Sequence, residues 1–152
     1  VILTFTIEAE PFGKERPRFS GHAYTPKETV IYERAVKAKC REVMTRAGVP
    51  AGAVMFDQPV VVDLTFRLFP PKSHAKWLRR AMLDGVEPIT GRYDLDNMAK
   101  AILDAINKTA FTDDRLIVDL RARKTAAETT GTDVMIWPFG EHHERPHKPE
   151  NH

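Results

Sequence analysis

The sequence predicts a single α+β domain, a mixed sheet of about four to five strands packed by two main helices. Residues 58–69 place Val60, Val62, Leu64, Phe66 and Leu68 in strict alternation, the period of a strand. Residues 25–47 and 97–107 repeat apolar positions at the three-and-four spacing of a helix. Further strand patterns lie at the start of the chain and after the second helix. With 152 residues, 42% of them hydrophobic, the chain suits one core of ordinary size.

The first element is a strand. Ile2, Leu3, Phe5 and Ile7 alternate with threonines in "VILTFTIE". A loop follows from Pro11 to Gly21, where two prolines and two glycines surround Lys14, Arg16 and Arg18. Thr25-Pro26-Lys27-Glu28 then carries a capping box with proline at the first helical position, so a helix runs from there to about Ala47 and stops at Gly48. Its expected apolar side is Ile31, Ala35, Val36, Ala38, Cys40, Val43, Met44 and Ala47.

The central strand of 58–69 ends at Pro70-Pro71. A short basic helix over 73–83, capped by Ser73, carries Lys76, Arg79 and Arg80, and a loop runs from 84 to 93. The second main helix packs through Met98, Ala99, Ile102, Leu103 and Ile106, with Asp96, Lys100 and Asp104 on its other side. Residues 115–124 and 132–137 are strands. The first is expected to turn Leu116, Val118 and Leu120 inward and to pair with the second through the Thr129-Thr130-Gly131 turn. The end, "FGEHHERPHKPENH", has four of the six histidines and no apolar periodicity, so residues 1–138 are expected to form the domain and 139–152 a disordered His-rich tail.

Composition narrows the function classes. No apolar run approaches the roughly 18 residues that span a bilayer, and no basic, apolar and small-residue leader pattern opens the chain. Cys40 is the one cysteine, so no internal disulfide and no cysteine-based zinc site can form. These features fit the cytoplasm. The net charge is +2, but it is unevenly spread. Residues 11–50 hold nine Lys/Arg against four Glu, and residues 72–92 hold five against two acids. Residues 93–119 reverse the sign, with six Asp against three Lys/Arg. An acidic island between basic flanks fits either ordinary surface charge or a polyanion held by the flanks and acted on at the centre.

The island is the stretch "DLDNMAKAILDAINKTAFTDD". Asp94 and Asp96 share one face if the backbone is extended there, roughly 5–8 Å apart. Two such charges repel by about 2–3 kcal/mol at an effective dielectric near 20. A cation or a proton must relieve them, and oxygen-only donors select hard cations, chiefly Mg²⁺ or Mn²⁺. Asp113 and Asp114 join the first pair only if the chain doubles back after Asn107. Each residue also has an ordinary reading: Asp96 as a helix N-cap, Asp94 as a loop residue, Asp113-Asp114 as a turn, and Lys100 as a surface lysine. If a divalent ion sits among the aspartates, the chemistry is phosphoryl transfer, with Lys100 one turn away to stabilise the phosphate. His22 and His74 fall in no catalytic spacing, and there is no Gly-rich phosphate loop.

The same stretch resembles the central motif of the RusA family of Holliday junction resolvases. That motif is an Asp-x-Asp-Asn-x-x-Lys run opening a helix, an Asp-Ala pair and a two-aspartate element, here Asp94, Asp96, Asn97, Lys100, Asp104-Ala105 and Asp113-Asp114. "KERPRF" followed by "AYTPKETVIYERAVK" is similar to the family's basic loop and helix start. The resemblance implies a RusA-like homodimer that binds Mg²⁺ (Mn²⁺ substituting) and nicks opposed strands of a four-way DNA junction symmetrically, in a bacterial or phage-infected cell. It implies Asp94, Asp96 and Asp114 as catalytic carboxylates and metal ligands, Asp113 as a further ligand, and Lys100 as the catalytic lysine. Lys14, Arg16 and Arg18, and with them Lys72, Lys76, Arg79 and Arg80, become candidate DNA contacts. The segment from Pro70 to Gly91 is longer than expected for the family. Two alternatives stay open: a metal-dependent nuclease acting on flaps or other branched DNA, and a basic DNA-binding module without catalysis.

Overall fold

The computed structural model describes residues 1–13, 27–91, 93–143 and 145. Lys14, Arg16 and Arg18, the capping box at Thr25-Pro26, and most of the His-rich tail lie outside the described residues. In chain order the elements are β1 (Leu3–Ile7), α1 (Lys27–Arg46), β2 (Val60–Leu68), α2 (Lys76–Leu83), α3 (Leu95–Ile106), a 3-10 turn (Asp114–Leu116), β3 (Ile117–Ala126) and β4 (Gly131–Pro138). The four strands form one mixed sheet in the order β1-β4-β2-β3.

Strand order corrects one expectation. β3 and β4 do not pair with each other; β2 lies between them, parallel to β3 and antiparallel to β4. The reason is burial. Every residue of β2 but Arg67 is buried, on both faces, and such a strand needs a neighbour on each side. β3 alternates Asp119, Arg121 and Arg123 on one face, so it suits the edge. Its apolar residues were also misplaced by pattern alone: Val118 is 55% exposed and Leu120 46%. Both lie on the early part of the strand, outside the helix packing that buries Ala126 at its far end.

One face of the sheet carries the helices. Val62, Leu64 and Phe66 of β2, Leu3, Phe5 and Ile7 of β1, and Val134 and Ile136 of β4 form the core with α1 and α3. α3 contributes Met98, Ala99, Ala101, Ile102, Ala105 and Ile106. Truncating the fully buried Ile102 to alanine would cost about 2–5 kcal/mol. α1 buries Thr29, Tyr32, Val36, Cys40 and Met44 instead of the wider side expected, and Ile31 is 58% exposed. The buried set follows a strict i, i+3, i+4 line that the extra alanines and Ile31 obscured. Gly48 ends α1 at φ 88°, with Val49 N–H bonding Met44 O and Gly48 N–H bonding Thr45 O, both at 3.0 Å, a Schellman closure.

The opposite face is mixed, with charged pairs beside the buried Val61 and Trp137. Arg123 holds Asp63 through two nitrogens at 2.7 and 3.1 Å, and Arg67 pairs with Asp133 at 3.0 Å. Residues after β4 come back onto this face and the chain start. Glu141 binds the Val1 ammonium at 3.1 Å and His143 at 3.0 Å, and Arg145 reaches Thr65 at 2.6 Å.

Candidate active site

α3 begins at Leu95, and Asp94 is its N-cap residue, with extended backbone at φ −64° and ψ 141°. The sequence allowed Asp96 that role, but Asp96 stands in the first turn. The helix starts two residues earlier because Leu95 packs against the core and draws the preceding backbone in. The Asp94 carboxylate makes no cap bond; only its backbone oxygen is used, by the Met98 N–H at 3.1 Å. Asp94, Asp96 and Lys100 are all exposed. Among the described residues none of these three side chains holds a hydrogen bond or ion pair. The free N–H groups of a helix N-terminus favour negative charge at this spot.

The segment before Asp94 is anchored by rings. Tyr93 packs on Phe12 at 5.6 Å between centroids, and Phe12 packs on Tyr32 of α1 at 5.5 Å. Gly13 lies so close that a Cβ there would come within 2.6 Å of the Tyr93 ring. Gly13, the last described residue before Lys14, therefore rests directly against the residue before Asp94. Sequence reasoning missed this trio. The only signal for it was a glycine next to an aromatic residue, which is common in loops.

The other acidic pair lies at the far end of α3. Thr109 and Ala110 N–H groups both bond Ile106 O at 3.0 Å, and Lys108 takes a left-handed φ of 62°, which turns the chain sharply. The chain then runs onto residues 56–60. Phe56 N–H bonds Ala110 O at 3.0 Å, Thr112 N–H bonds Phe56 O at 3.1 Å, and the Thr112 hydroxyl binds Asp57 at 2.6 Å. Ile117 then pairs with Val60 at the start of β2. The chain doubles back here, beyond the 12 residues of α3 that lie between the two acidic pairs in sequence. That is about 18 Å of helix. Among the described residues no three His, Cys, Asp or Glu side chains come together as a metal-holding group.

Asp113 has a structural task. Its carboxylate accepts the Arg115 N–H at 2.9 Å and caps the 3-10 turn. That bond, helped by Asp114 and by the charges of Arg115 and Lys108, holds its carboxyl below the usual range. Asp114 is exposed beside it.

The second basic cluster is divided. Arg80 is paired with Asp84 at 3.1 Å, and the Arg79 guanidinium lies over the Phe69 ring at 5.4 Å. Lys72 and Lys76 are exposed and unpaired among the described residues. The expected Ser73 cap is absent: α2 starts after Ala75, with no side-chain cap bond. The Pro70-Pro71 pair and the following turn, in which His74 N–H bonds Pro71 O at 3.1 Å, delay the helix.

Comparison with known proteins places these features in context. The sequence model of one family, Endodeoxyribonuclease RusA, matches residues 8–137, a span that includes both acidic pairs, Lys100 and both basic clusters. The protein of Bacillus subtilis (strain 168) called Uncharacterized protein YqaN is similar at 27% identity over 141 residues, covering 88% of this chain and 94% of that protein.

Proposed function

Because the chain belongs to the RusA family of endodeoxyribonucleases, we propose that it is a Mg²⁺-dependent resolvase that nicks four-way DNA junctions in pairs, as a homodimer. The observation that carries this reading is the open N-terminus of α3. There two exposed carboxylates and a lysine are left without described partners, the lysine one turn from Asp96 on the same helix.

The donors fit a hard cation, since they are carboxylate oxygens that no Arg or Lys among the described residues claims. Asp94 and Asp96 would hold it from one side. A bound Mg²⁺, or Mn²⁺ in its place, supplies a more acidic water and neutralises charge on the phosphate. Lys100, one turn along the same helix, sets its ammonium toward the phosphate and stabilises the added negative charge. Lys72 and Lys76 meet the DNA backbone, as do Lys14, Arg16 and Arg18 from the loop that starts at Gly13, so binding weakens steeply with salt. Arg79 and Arg80 are reserved by Phe69 and Asp84 and contribute less.

Asp114 belongs to the same chemistry only if a second copy brings it there. α3 ends beside the starts of β2 and β3, so it runs opposite to β3. A two-fold axis that sets β3 antiparallel to a second β3 lays the start of one strand beside the end of the other. Asp113 and Asp114 of one copy then approach Asp94 and Asp96 of the second. The edge suits this pairing. Centred on Leu120, it sets Asp119, which pairs with Arg121 of its own chain at 3.0 Å, opposite Arg121 of the second copy as well, and covers the exposed Val118 and Leu120. Two equivalent sites follow, one for each strand of a symmetric cut.

No helix among the described residues is long and apolar enough to cross a membrane. The cytoplasm of a bacterial or phage-infected cell, where branched DNA arises, is the place of action in this reading.

The test is cleavage of a labelled synthetic four-way junction, with linear duplex as control, in Mg²⁺ and in EDTA. Paired symmetric nicks in the junction alone, lost in EDTA, are expected. Cleavage of every branched substrate replaces the resolvase by a flap or general branched-DNA nuclease. Tight junction binding without cleavage in Mg²⁺ or Mn²⁺ leaves a binding module.

A further inference from the structure

α2 presents an aromatic side chain that the fold does not use. The helix packs on the end of the sheet through Leu78, Met82 and Leu83, against Leu68, Ile89 and Ala126. Its outward face carries Lys76, Trp77 and Arg80, and Trp77 is 71% exposed. A tryptophan on the solvent side of an amphipathic helix gains nothing for the core and leaves a large apolar ring in water.

Its position relates it to the site. The two feet of the α2 segment meet in one cleft of about 540 Å³, lined by Phe69, Pro70, Pro71 and Lys72 from one foot and Ile89 and Gly91 from the other. Gly91 precedes Asp94 by three residues, at most about 11 Å of chain. Arg79 over Phe69 locks the helix on this base. An exposed ring next in sequence to Lys76, with Lys72 at the foot of the same segment and neither lysine paired among the described residues, on a projection rooted next to the acidic end of α3, matches the chemistry that holds unpaired nucleotides: cations for the backbone and a π-face for the base.

We propose that Trp77 stacks on an unpaired or unstacked base at the branch point of the DNA and thereby gives the enzyme part of its preference for branched over linear substrates. This rests on the nuclease reading above and adds a specificity residue to it. Linear duplex keeps its bases inside the stack and offers no such partner. A branch point exposes them.

Trp77 also supplies its own signal. The second tryptophan, Trp137, is 2% exposed in the folded chain, so a change in tryptophan emission on adding DNA reports chiefly on Trp77. The experiment titrates the full chain in EDTA with a four-way junction carrying 2-aminopurine next to the branch, and with linear duplex of the same sequence. Stacking predicts quenched tryptophan emission with the junction only. Trp77→Ala should lose about tenfold in junction affinity, with duplex affinity and thermal unfolding midpoint unchanged, and Trp77→Phe should recover most of the loss. Equal junction affinity in Trp77→Ala overturns the proposal, as does an equal loss on junction and duplex. A Trp77→Ala chain that changes oligomeric state in sedimentation also overturns it, because a second copy is then the occupant. If the wild-type chain cleaves junctions while Trp77→Ala binds them normally, only this proposal falls. If the wild-type chain neither binds nor cleaves branched DNA, the nuclease reading falls and takes the proposal with it.

Discussion

At the N-terminal end of α3, Asp94 and Asp96 stand exposed with no bond to a described side chain, whereas at the C-terminal end Asp113 is committed to the Arg115 N–H and Thr112 to Asp57. Both ends are acidic, yet among the described residues only the second engages carboxylates in hydrogen bonds. A carboxylate that closes a turn is explained by the turn. A pair of carboxylates that closes no turn, at a helix start that favours negative charge, is open to a ligand from outside, as the proposed function requires. Asp114 sits between these cases: it is exposed like the first pair but lies beside the second.

The sharpest way to break this comparison is to neutralise the open end. Asp94→Asn or Asp96→Asn should lower the junction nicking rate on the order of a thousandfold. The unfolding midpoint should hold or rise slightly and junction affinity should hold or tighten, because a repulsive charge is gone. Single-turnover cleavage together with a gel-shift titration checks both halves. Retention of nicking within about tenfold would make Asp94 a surface residue.

Nearly as large is an effect that asks whether the two ends work together. Take a heterodimer, purified through two tags, of an Asp94→Asn chain with an Asp114→Asn chain. If each site draws on both copies, one site carries both lesions and the other is intact, so the heterodimer nicks at about half the wild-type rate and cannot make paired cuts. Wild type paired with the Asp94→Asn/Asp114→Asn double variant should then be inactive, since each site has one lesion. Sites complete within one chain require the reverse in both cases. A readout without catalysis is an Asp96→Cys/Asp113→Cys chain, which should form a covalent dimer on oxidation. Cys40 stays out of that reaction, because burial pushes its thiol up to about 12.

A smaller effect concerns how the open end is held. Gly13→Ala forces a methyl group into the Tyr93 ring and shifts the backbone that presents Asp94. Nicking should fall about tenfold with little change in duplex binding. Pairing it with Tyr93→Leu, which removes the ring, should recover part of the loss.

The smallest effect belongs to the committed end. The Arg115 N–H lowers the Asp113 carboxyl below its ordinary value, so the cap contributes fully above about pH 4 and is lost as pH falls through the depressed folded-state value. Asp113→Asn retains an acceptor oxygen but not the charge. The gap in unfolding midpoint between wild type and this variant should be constant at neutral pH and close as the pH drops well below 4. A gap that persists in strong acid would mean that the carboxylate charge has no part in the cap.

Much of this molecule is legible without coordinates. The alternation at 60–68 and the three-and-four spacing from Met98 to Ile106 report local periodicities that burial imposes, and both elements lie where those patterns place them. The RusA motif was legible for a similar reason: its residues lie within 21 consecutive positions, so order and spacing survive in the sequence. Less legible were the faces of the edge elements. Val118 and Leu120 carry the same alternation as a buried strand, and Ile31 the same apolarity as its buried neighbours, but whether a helix lies over them is a property of distant residues.

By itself, then, the sequence determined which segments are helix and strand and where α1 stops, because each depends on contacts within a few positions, whereas which charged groups stay uncommitted was decided by the fold. Tertiary structure alone decided that β2 parts β3 from β4, that Gly13 and Tyr93 seat the open end of α3, and that the described aspartates do not gather into one metal-holding group within the chain. Those outcomes follow from which apolar surfaces across the whole chain must be buried together, and a doubly buried strand such as β2 takes the centre whatever its neighbours in sequence prefer.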